Sequence, residues 1–333
     1  MTTTLWVATS GWQPAELLGA IPPACRRAVE SAARVRIDGD EALVETRPWS
    51  AVGATHLLPS FAVHTSAPFS ARLEVSVHVG GGWSPWVGGV SLGPASFEPM
   101  PAAPGLEVDV DVFRTPAPVD GVRVRLRLRA SDPAAVLAAP WMVALSTSPP
   151  RAPSTSSSAA AGVGARLAVP ARSQMQAPAA IASRICSPTC VAMLLDFWRR
   201  PVDLEPLAAE IFHPGTDLYG VWPAAIAAAG RRGLAGYLLH FPDWSAAQWC
   251  LARGLPVIAS IRYDAGELTG AAVAHTPGHL IVLTGWDGDE VLVNDPAAPT
   301  AATVPRRYRL DELQHIWLDR TAVGYVLFDP KAP

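Results

Sequence analysis

Between Ser146 and Ala168 the chain runs through Pro149-Pro150-Arg151-Ala152-Pro153, Ser154-Thr155-Ser156-Ser157-Ser158 and Ala159-Ala160-Ala161-Gly162. This stretch has no apolar period with which to join a core, and its proline and serine content favours an exposed linker. It divides the 333 residues into two folding units, expected at 1–148 and 168–333, with the linker at 149–167. A chain of this length can support two cores, and 50% hydrophobic against 17% charged residues suits well-packed globular units.

The first unit reads as all-β. Leu73, Val75, Val77 and Val79 alternate with polar residues, and Val122, Val124, Leu126 and Leu128 alternate with Arg123, Arg125, Arg127 and Arg129. Val108, Val110 and Val112 alternate with Asp109 and Asp111, whose acidic face is expected to lie beside the arginine-bearing strand. Gly80-Gly81-Gly82 and several prolines supply turns, so the expectation is two packed antiparallel sheets, a jelly-roll-like sandwich. Only Ala24 to Ala33 hints at helix.

The second unit carries chemistry. Ser187-Pro188-Thr189 is a helix-start pattern, and Val191, Leu194, Leu195 and Trp198 recur at helical spacing, which places Cys186 at the amino end of an amphipathic helix. Unpaired amides and the helix dipole favour a thiolate there. Leu280 to Gly285 and Glu290 to Val293 read as strands joined through Asp287-Gly288, a hairpin signal. A turn centred between those two residues makes His279 and Asp295 near cross-strand neighbours, close enough for the carboxylate to hold the imidazole in one tautomer. Thiol, imidazole and carboxylate are the parts of a cysteine nucleophile with its base and orienting acid.

From about Val169 to Phe328 the chain resembles papain-like cysteine peptidases of the bacteriocin-leader-peptidase type, in their stand-alone form without a transporter. The pieces that carry the resemblance are Val169-Pro170, Ser173-Gln174-Met175, Cys186-Ser187-Pro188-Thr189, Gly220-Val221-Trp222-Pro223, Gly254 to Ile258, Gly278-His279, Asn294-Asp295-Pro296, Tyr308 and Trp317. The resemblance implies an α+β papain-like fold in which Cys186 is the nucleophile, His279 the base, Asp295 its partner and Gln174 a donor to the oxyanion. Gln176, two residues on, would face the same way in an extended strand. Ser187 stands where glycine is common in the family and Cys190 where serine is usual, and neither change removes a catalytic group. Leu57-Leu58-Pro59-Ser60 and Gly82-Trp83-Ser84-Pro85-Trp86 also resemble the β-sandwich that precedes such peptidases in some bacterial proteins.

These readings imply a hydrolase acting on a peptide or protein through a thioester. Acyl transfer through the same thioester and non-catalytic binding of peptide or glycan are the alternatives. Trp83 and Trp86 can stack on sugar rings, making carbohydrate or cell wall a further candidate ligand, or they can cover a sheet edge. Cys186, Cys190, His275 and His279 have zinc-permitting spacings within each pair, but the long separation and Pro277-Gly278 argue against a compact site, so no metal and no cofactor is expected. Phe212 to Trp222 and Tyr263 to Pro277 are expected to wall the cleft, the second as a mobile flap. A net charge of −3 gives no electrostatic case for nucleic acid, and no apolar run is long enough for membrane insertion. The amino terminus lacks signal-peptide features and the cysteines are too few for a disulfide framework, which points to the cytoplasm.

Overall fold

The computed structural model describes residues 3–31, 33–150 and 164–331; most of the expected linker lies outside the described residues. The first half contains strands β1 (Thr4–Ser10), β2 (Arg26–Glu30), β3 (Ala33–Asp38), β4 (Glu41–Thr46), β5 (Trp49–Val63) and β6 (Ser70–Val79). It continues with β7 (Gly82–Trp83), β8 (Val87–Gly88), β9 (Glu107–Asp109), β10 (Val112–Arg129) and β11 (Trp141–Ser148), and two short helices, α1 (Pro14–Gly19) and α2 (Pro133–Ala138). The helical hint at Ala24 to Ala33 is thus corrected. That stretch gives two strands, with Arg27 to Glu30 pairing in parallel with β1.

In place of two separate sheets, these strands form one hydrogen-bonded network of eleven. The reason is the length of β5 and β10, which take different neighbours along their course. β5 pairs first with β10 and then with β11, while β10 meets β9 and β5 before running between β6 and β4. The alternation read from Val122 to Arg129 holds, with the valines and leucines fully buried.

The acidic partner of the arginines is not the one expected. Val110 adopts φ +57° and the chain reverses there, so β9 pairs only with the start of β10. Opposite the arginines stand Glu74 of β6 and Glu41 of β4. Glu74 is fully buried and accepts from Arg72 Nη2 at 2.7 Å, Arg127 Nε at 3.0 Å and Arg125 Nε at 2.5 Å. A carboxylate out of water needs such partners, and three guanidinium groups supply them.

The second half contains α3 (Ala179–Ala182), α4 (Cys186–Phe197), α5 (Leu204–Ile211), α6 (Trp222–Arg231), α7 (Trp244–Ala252) and α8 (Leu310–Leu313). Its sheet is built from β12 (Ala235–His240), β13 (Val257–Tyr263), β14 (Thr276–Asp287), β15 (Glu290–Asn294), β16 (Pro305–Arg309) and β17 (Val323–Phe328), in the order β12-β17-β13-β14-β15-β16 and antiparallel throughout. Among the described residues no helix is long and apolar enough to cross a membrane.

The two sheets share apolar contacts. Leu5, Val7, Leu17, Leu58 and Met142 of the first half belong to the same core cluster as α4, α6 and β12. Polar ties cross the junction as well: Ser60 Oγ accepts from Leu238 N at 3.1 Å, Ser146 Oγ from His240 N at 3.0 Å, and the Tyr237 hydroxyl donates to Ala20 O at 2.6 Å. Gly230 lets α6 approach β5, because a Cβ there would sit 2.9 Å from Val63 N and 3.0 Å from Ala62 Cα.

Candidate active site

Cys186 is the first residue of α4, and the helix's opening turn, which contains it, is closed by the Ile185 carbonyl, which accepts from Thr189 N at 3.0 Å and Thr189 Oγ1 at 2.7 Å. The helix is not amphipathic as expected: Ser187 to Leu195 are all buried, so α4 is a central helix covered on every side. Cys186 itself remains partly exposed. Cys190, one turn on, is fully buried and donates its S–H to Leu280 O at 3.3 Å.

His279 lies on β14 opposite Ile261 of β13. The hairpin that follows pairs Asp287 with Glu290, so the turn residues are Gly288 and Asp289, one position later than expected. A register shift between Leu283 and Gly285 then moves Val282 opposite Asn294. His279 and Asp295 are therefore not directly paired, yet they meet at the end of the hairpin. His279 Nε2 stands 2.8 Å from Asp295 Oδ1, leaving Nδ1 as the ring nitrogen for Cys186. Gly285, at the shift, is required by a close approach: a Cβ there would lie 2.0 Å from the Ala165 carbonyl oxygen.

Asp295 is fully buried and well supplied with donors. Its Oδ1 also accepts from Ala297 N at 3.0 Å, and its Oδ2 accepts from the Tyr308 hydroxyl at 2.7 Å. The sequence reading had Tyr308 only as a piece of a motif; a tyrosine on an edge strand carries no signal that its hydroxyl points at a carboxylate.

The electrostatics follow from these contacts. For all three groups burial is the largest single influence and opposes charge, but the neighbours outweigh it. The His279 interaction and the amides of Leu280 and Ser187 bring the Cys186 thiol below the ordinary thiol range. The Asp295 carboxylate and the Cys186 sulfur raise the His279 imidazole. His279 and the Tyr308 hydroxyl hold Asp295 below the usual carboxylate range. The arrangement favours a thiolate beside an imidazolium, the reactive form of a cysteine nucleophile.

Gln174 is buried in a single 3-10 turn, Gln174–Gln176, rather than in an extended strand. Gln176 consequently faces outward and is exposed, which separates the two glutamines. One N–H of the Gln174 amide donates to Ala182 O at 2.8 Å, in the short helix just before Cys186, and Oε1 is buried without a hydrogen-bond partner. Beside this turn lies a recess of about 990 Å³ lined by Ser173, Gln176, Ala177, Ile181 and Tyr219 among others.

Residues 166–325 match the Peptidase_C39 like family. The matched stretch takes in Gln174, Cys186, His279, Asp295 and Tyr308, and supports a cysteine-type peptidase. Two solved structures are similar to about half of this chain. One is a double glycine motif protease from an AMS/PCAT transporter in complex with the leader peptide, at 19% identity and TM-score 0.35, covering 49% of this chain and 94% of that one. The other is a protein from Bacillus anthracis described as a C39-like peptidase, at 18% identity and TM-score 0.39, covering 50% and 98%. No curated protein matches the chain.

The remaining candidates fall outside this constellation. His275 is exposed and Cys190 is turned to a carbonyl; among the described residues no three His, Cys, Asp or Glu side chains converge as metal ligands. The loop from Asp264 to His275, expected to be a mobile flap, is tied at several points. Thr269 donates through N and Oγ1 to Glu312, both at 2.8 Å, Arg306 Nη1 donates to Gly270 O at 2.7 Å, and the Tyr263 hydroxyl donates to Val273 O at 3.0 Å. Trp222 is half-buried at the start of α6 and packs against the shared core. Trp83 and Trp86 are stacked by arginines, with the Arg123 guanidinium 4.6 and 4.8 Å from their ring centroids and that of Arg125 4.4 Å from Trp86. These indoles already have cationic partners from β10.

Proposed function

We propose that this protein is a cysteine peptidase that cleaves a peptide or protein substrate through a thioester acyl-enzyme. The observation that carries the reading is His279, bonded through Nε2 to Asp295 and interacting on its other side with Cys186. His279 takes the thiol proton and the Cys186 thiolate attacks the scissile carbonyl carbon. The second N–H of Gln174, the one not given to Ala182, and a backbone amide at the start of α4 donate to the developing oxyanion. Collapse breaks the C–N bond, and His279 returns its proton to the departing amine. Water, deprotonated by the same imidazole, then attacks the thioester, releases the acid and restores the thiol.

The test is digestion of a mixed peptide library by the full chain, read by mass spectrometry, beside the Cys186→Ala variant. Wild-type protein should cut a defined subset of bonds, and the variant none while retaining its circular dichroism spectrum. Cleavage by the variant at the wild-type rate would overturn the reading. Adding an amine to the reaction separates hydrolysis from acyl transfer, since amide products appear only if the thioester is captured by the amine.

A further inference from the structure

The first sheet ends in the order β10-β4-β3, so among the described residues β3 hydrogen-bonds to β4 alone and its outer edge meets no other strand. Arg34 to Asp38 are all exposed. The pairing with β4 sets which way each residue faces, because residues directly opposite in an antiparallel pair share a face. Val35 stands opposite the buried Val44 and Ile37 opposite the buried Ala42, so both lie on the core side. They are nevertheless 43% and 47% exposed, since no further strand continues the apolar layer past them. Arg34, Arg36 and Asp38 lie on the other face, opposite Glu45, Leu43 and Glu41.

An unpaired strand edge is a template for another strand, and proteins ordinarily blunt one with proline, a bulge or a cover. β3 has none of these: its register against β4 runs unbroken from Ala33 to Asp38, and the stretch contains no proline. Two arginines on one face would still repel a second copy of the strand if they stood alone. Asp38, four residues after Arg34, changes that. Where two copies of β3 run antiparallel about a two-fold axis through Arg36, Arg34 stands opposite the partner's Asp38 and Val35 opposite the partner's Ile37, and each contact occurs twice. Among the described residues, neither Arg34 nor Asp38 has an ion pair within its own chain. Arg36 meets its own copy, the single like-charged pair, with the partner's Asp38 on its diagonal. Sliding the copies by two residues sets Arg34 against Arg36 or leaves only Arg36 to Asp38 paired, and an odd shift puts Val35 and Ile37 on the arginine face.

We infer that β3 is a self-association edge, at which two copies of this chain join their first sheets antiparallel about Arg36. Ion pairs between Arg34 and Asp38 form on the outer face, and contacts between Val35 and Ile37 extend the apolar layer on the core side. The inference is independent of the reading of Cys186. A seam of one strand is smaller than the roughly 1,200–2,000 Å² of a standard interface, so the dimer is a weak one that forms as protein concentration rises.

Sedimentation velocity of the full chain from micromolar to near-millimolar concentration tests it, at low ionic strength where surface pairs are least screened. Wild type should pass from monomer to dimer across that range, and hydrogen exchange of residues 33–38 should slow with it. Arg34→Asp and Asp38→Arg each put like charges opposite one another at both ends of the seam. Each should weaken the dimer roughly tenfold, as two cross-strand pairs change sign. An equimolar mixture of the two variants should dimerise as tightly as wild type, because in the mixed dimer both ends again join opposite charges. A β3 that the substitutions had merely destabilised would not recover in this way. A wild-type chain that stays monomeric throughout would overturn the inference and leave the edge to an extended segment of another protein. A dimer whose strength neither reversal changes, or a mixture no tighter than the variants alone, overturns it equally. Should either reversal fail to fold, Val35→Lys decides: it should keep the chain monomeric at every concentration, and an undiminished dimer there counts against β3 as the seam.

Discussion

The Tyr308 hydroxyl donates to Asp295 Oδ2 at 2.7 Å, while His279 occupies Oδ1 of the same carboxylate. Both oxygens are thus engaged, and Asp295 can neither rotate away from the imidazole nor take up a proton easily. Tyr308→Phe should cost about 1.5 to 3 kcal/mol, the range for a buried hydrogen bond to a charged group. It should also raise the Asp295 pKa from its depressed position. A depressed carboxylate contributes stability that is present above its unfolded pKa and lost as pH falls through the folded one, so the variant's acid-dependent loss should be smaller and complete at a higher pH. Urea unfolding between pH 3 and 7 checks both effects, and coincident wild-type and variant curves would refute them.

The thiol and imidazole titrate against each other. Cys186 is lowered and His279 raised, so the ion pair spans a pH interval bounded by sulfur protonation on the acid side and ring deprotonation on the alkaline side. Iodoacetamide should label Cys186 well below the pH at which an ordinary thiol reacts. His279→Ala should return labelling to the ordinary alkaline range and lower peptide cleavage roughly 10²- to 10⁴-fold, the span attributed to a general base. Labelling of His279→Ala at the wild-type acid limb would show that the ring does not activate the sulfur.

What sequence could and could not reveal follows from the reach of each signal. The strands β6, β10, β14 and β15 were legible from local signals, alternation in β6 and β10 and branched runs around a hairpin turn in β14 and β15; that β6, β14 and β15 are buried on both faces was not. The convergence of His279 and Asp295 was legible to within one residue; the shift near Thr284 was not, since it is set by Ala165 approaching Gly285 from a distant segment. The amphipathic reading of α4 failed for a related reason. Periodicity shows one apolar face, whereas cover on the other faces comes from elements remote in sequence. Asp111 was assigned to an exposed acidic face because alternation predicts one, and only the left-handed turn at Val110 reverses it.

Gly230 tests how tightly the two halves depend on each other. A Cβ at this position meets backbone atoms of Ala62 and Val63, which cannot rotate aside as a flexible side chain could. Gly230→Val should therefore push α6 off β5 and cost about 1 to 3 kcal/mol, as overpacking does in well-filled cores. Because the core is shared, fluorescence of Trp49 in the first half and Trp317 in the second should report loss in one concerted transition. Two transitions, with only one of them moved by the substitution, would mean that the halves unfold separately.

Asp111 of the first half, buried with its Oδ2 accepting the Trp222 N–H of the second at 2.6 Å, carries a cost. Burial is the main cause that pushes its carboxyl up to about 7, the nearby Asp109 charge adds to this, and hydrogen bonds from the Trp222 amide and its own backbone act the other way. A carboxyl raised from 3.8 to about 7 binds a proton in the folded state over a range where the unfolded chain has released it. Its contribution is therefore full below about pH 4, declines as pH rises, and is gone above the folded pKa. Asparagine accepts the same Trp222 N–H without titrating, so Asp111→Asn should show a flatter dependence between pH 4 and 7 and be the more stable protein at pH 8. At roughly 1.4 kcal/mol per pKa unit the gain has an upper bound of about 4 kcal/mol. Denaturant midpoints for both proteins at pH 4, 6 and 8 measure it directly. A constant difference across that range would mean that the carboxyl ionises as freely in the folded protein as in water, and that burial at the junction imposes no penalty on it.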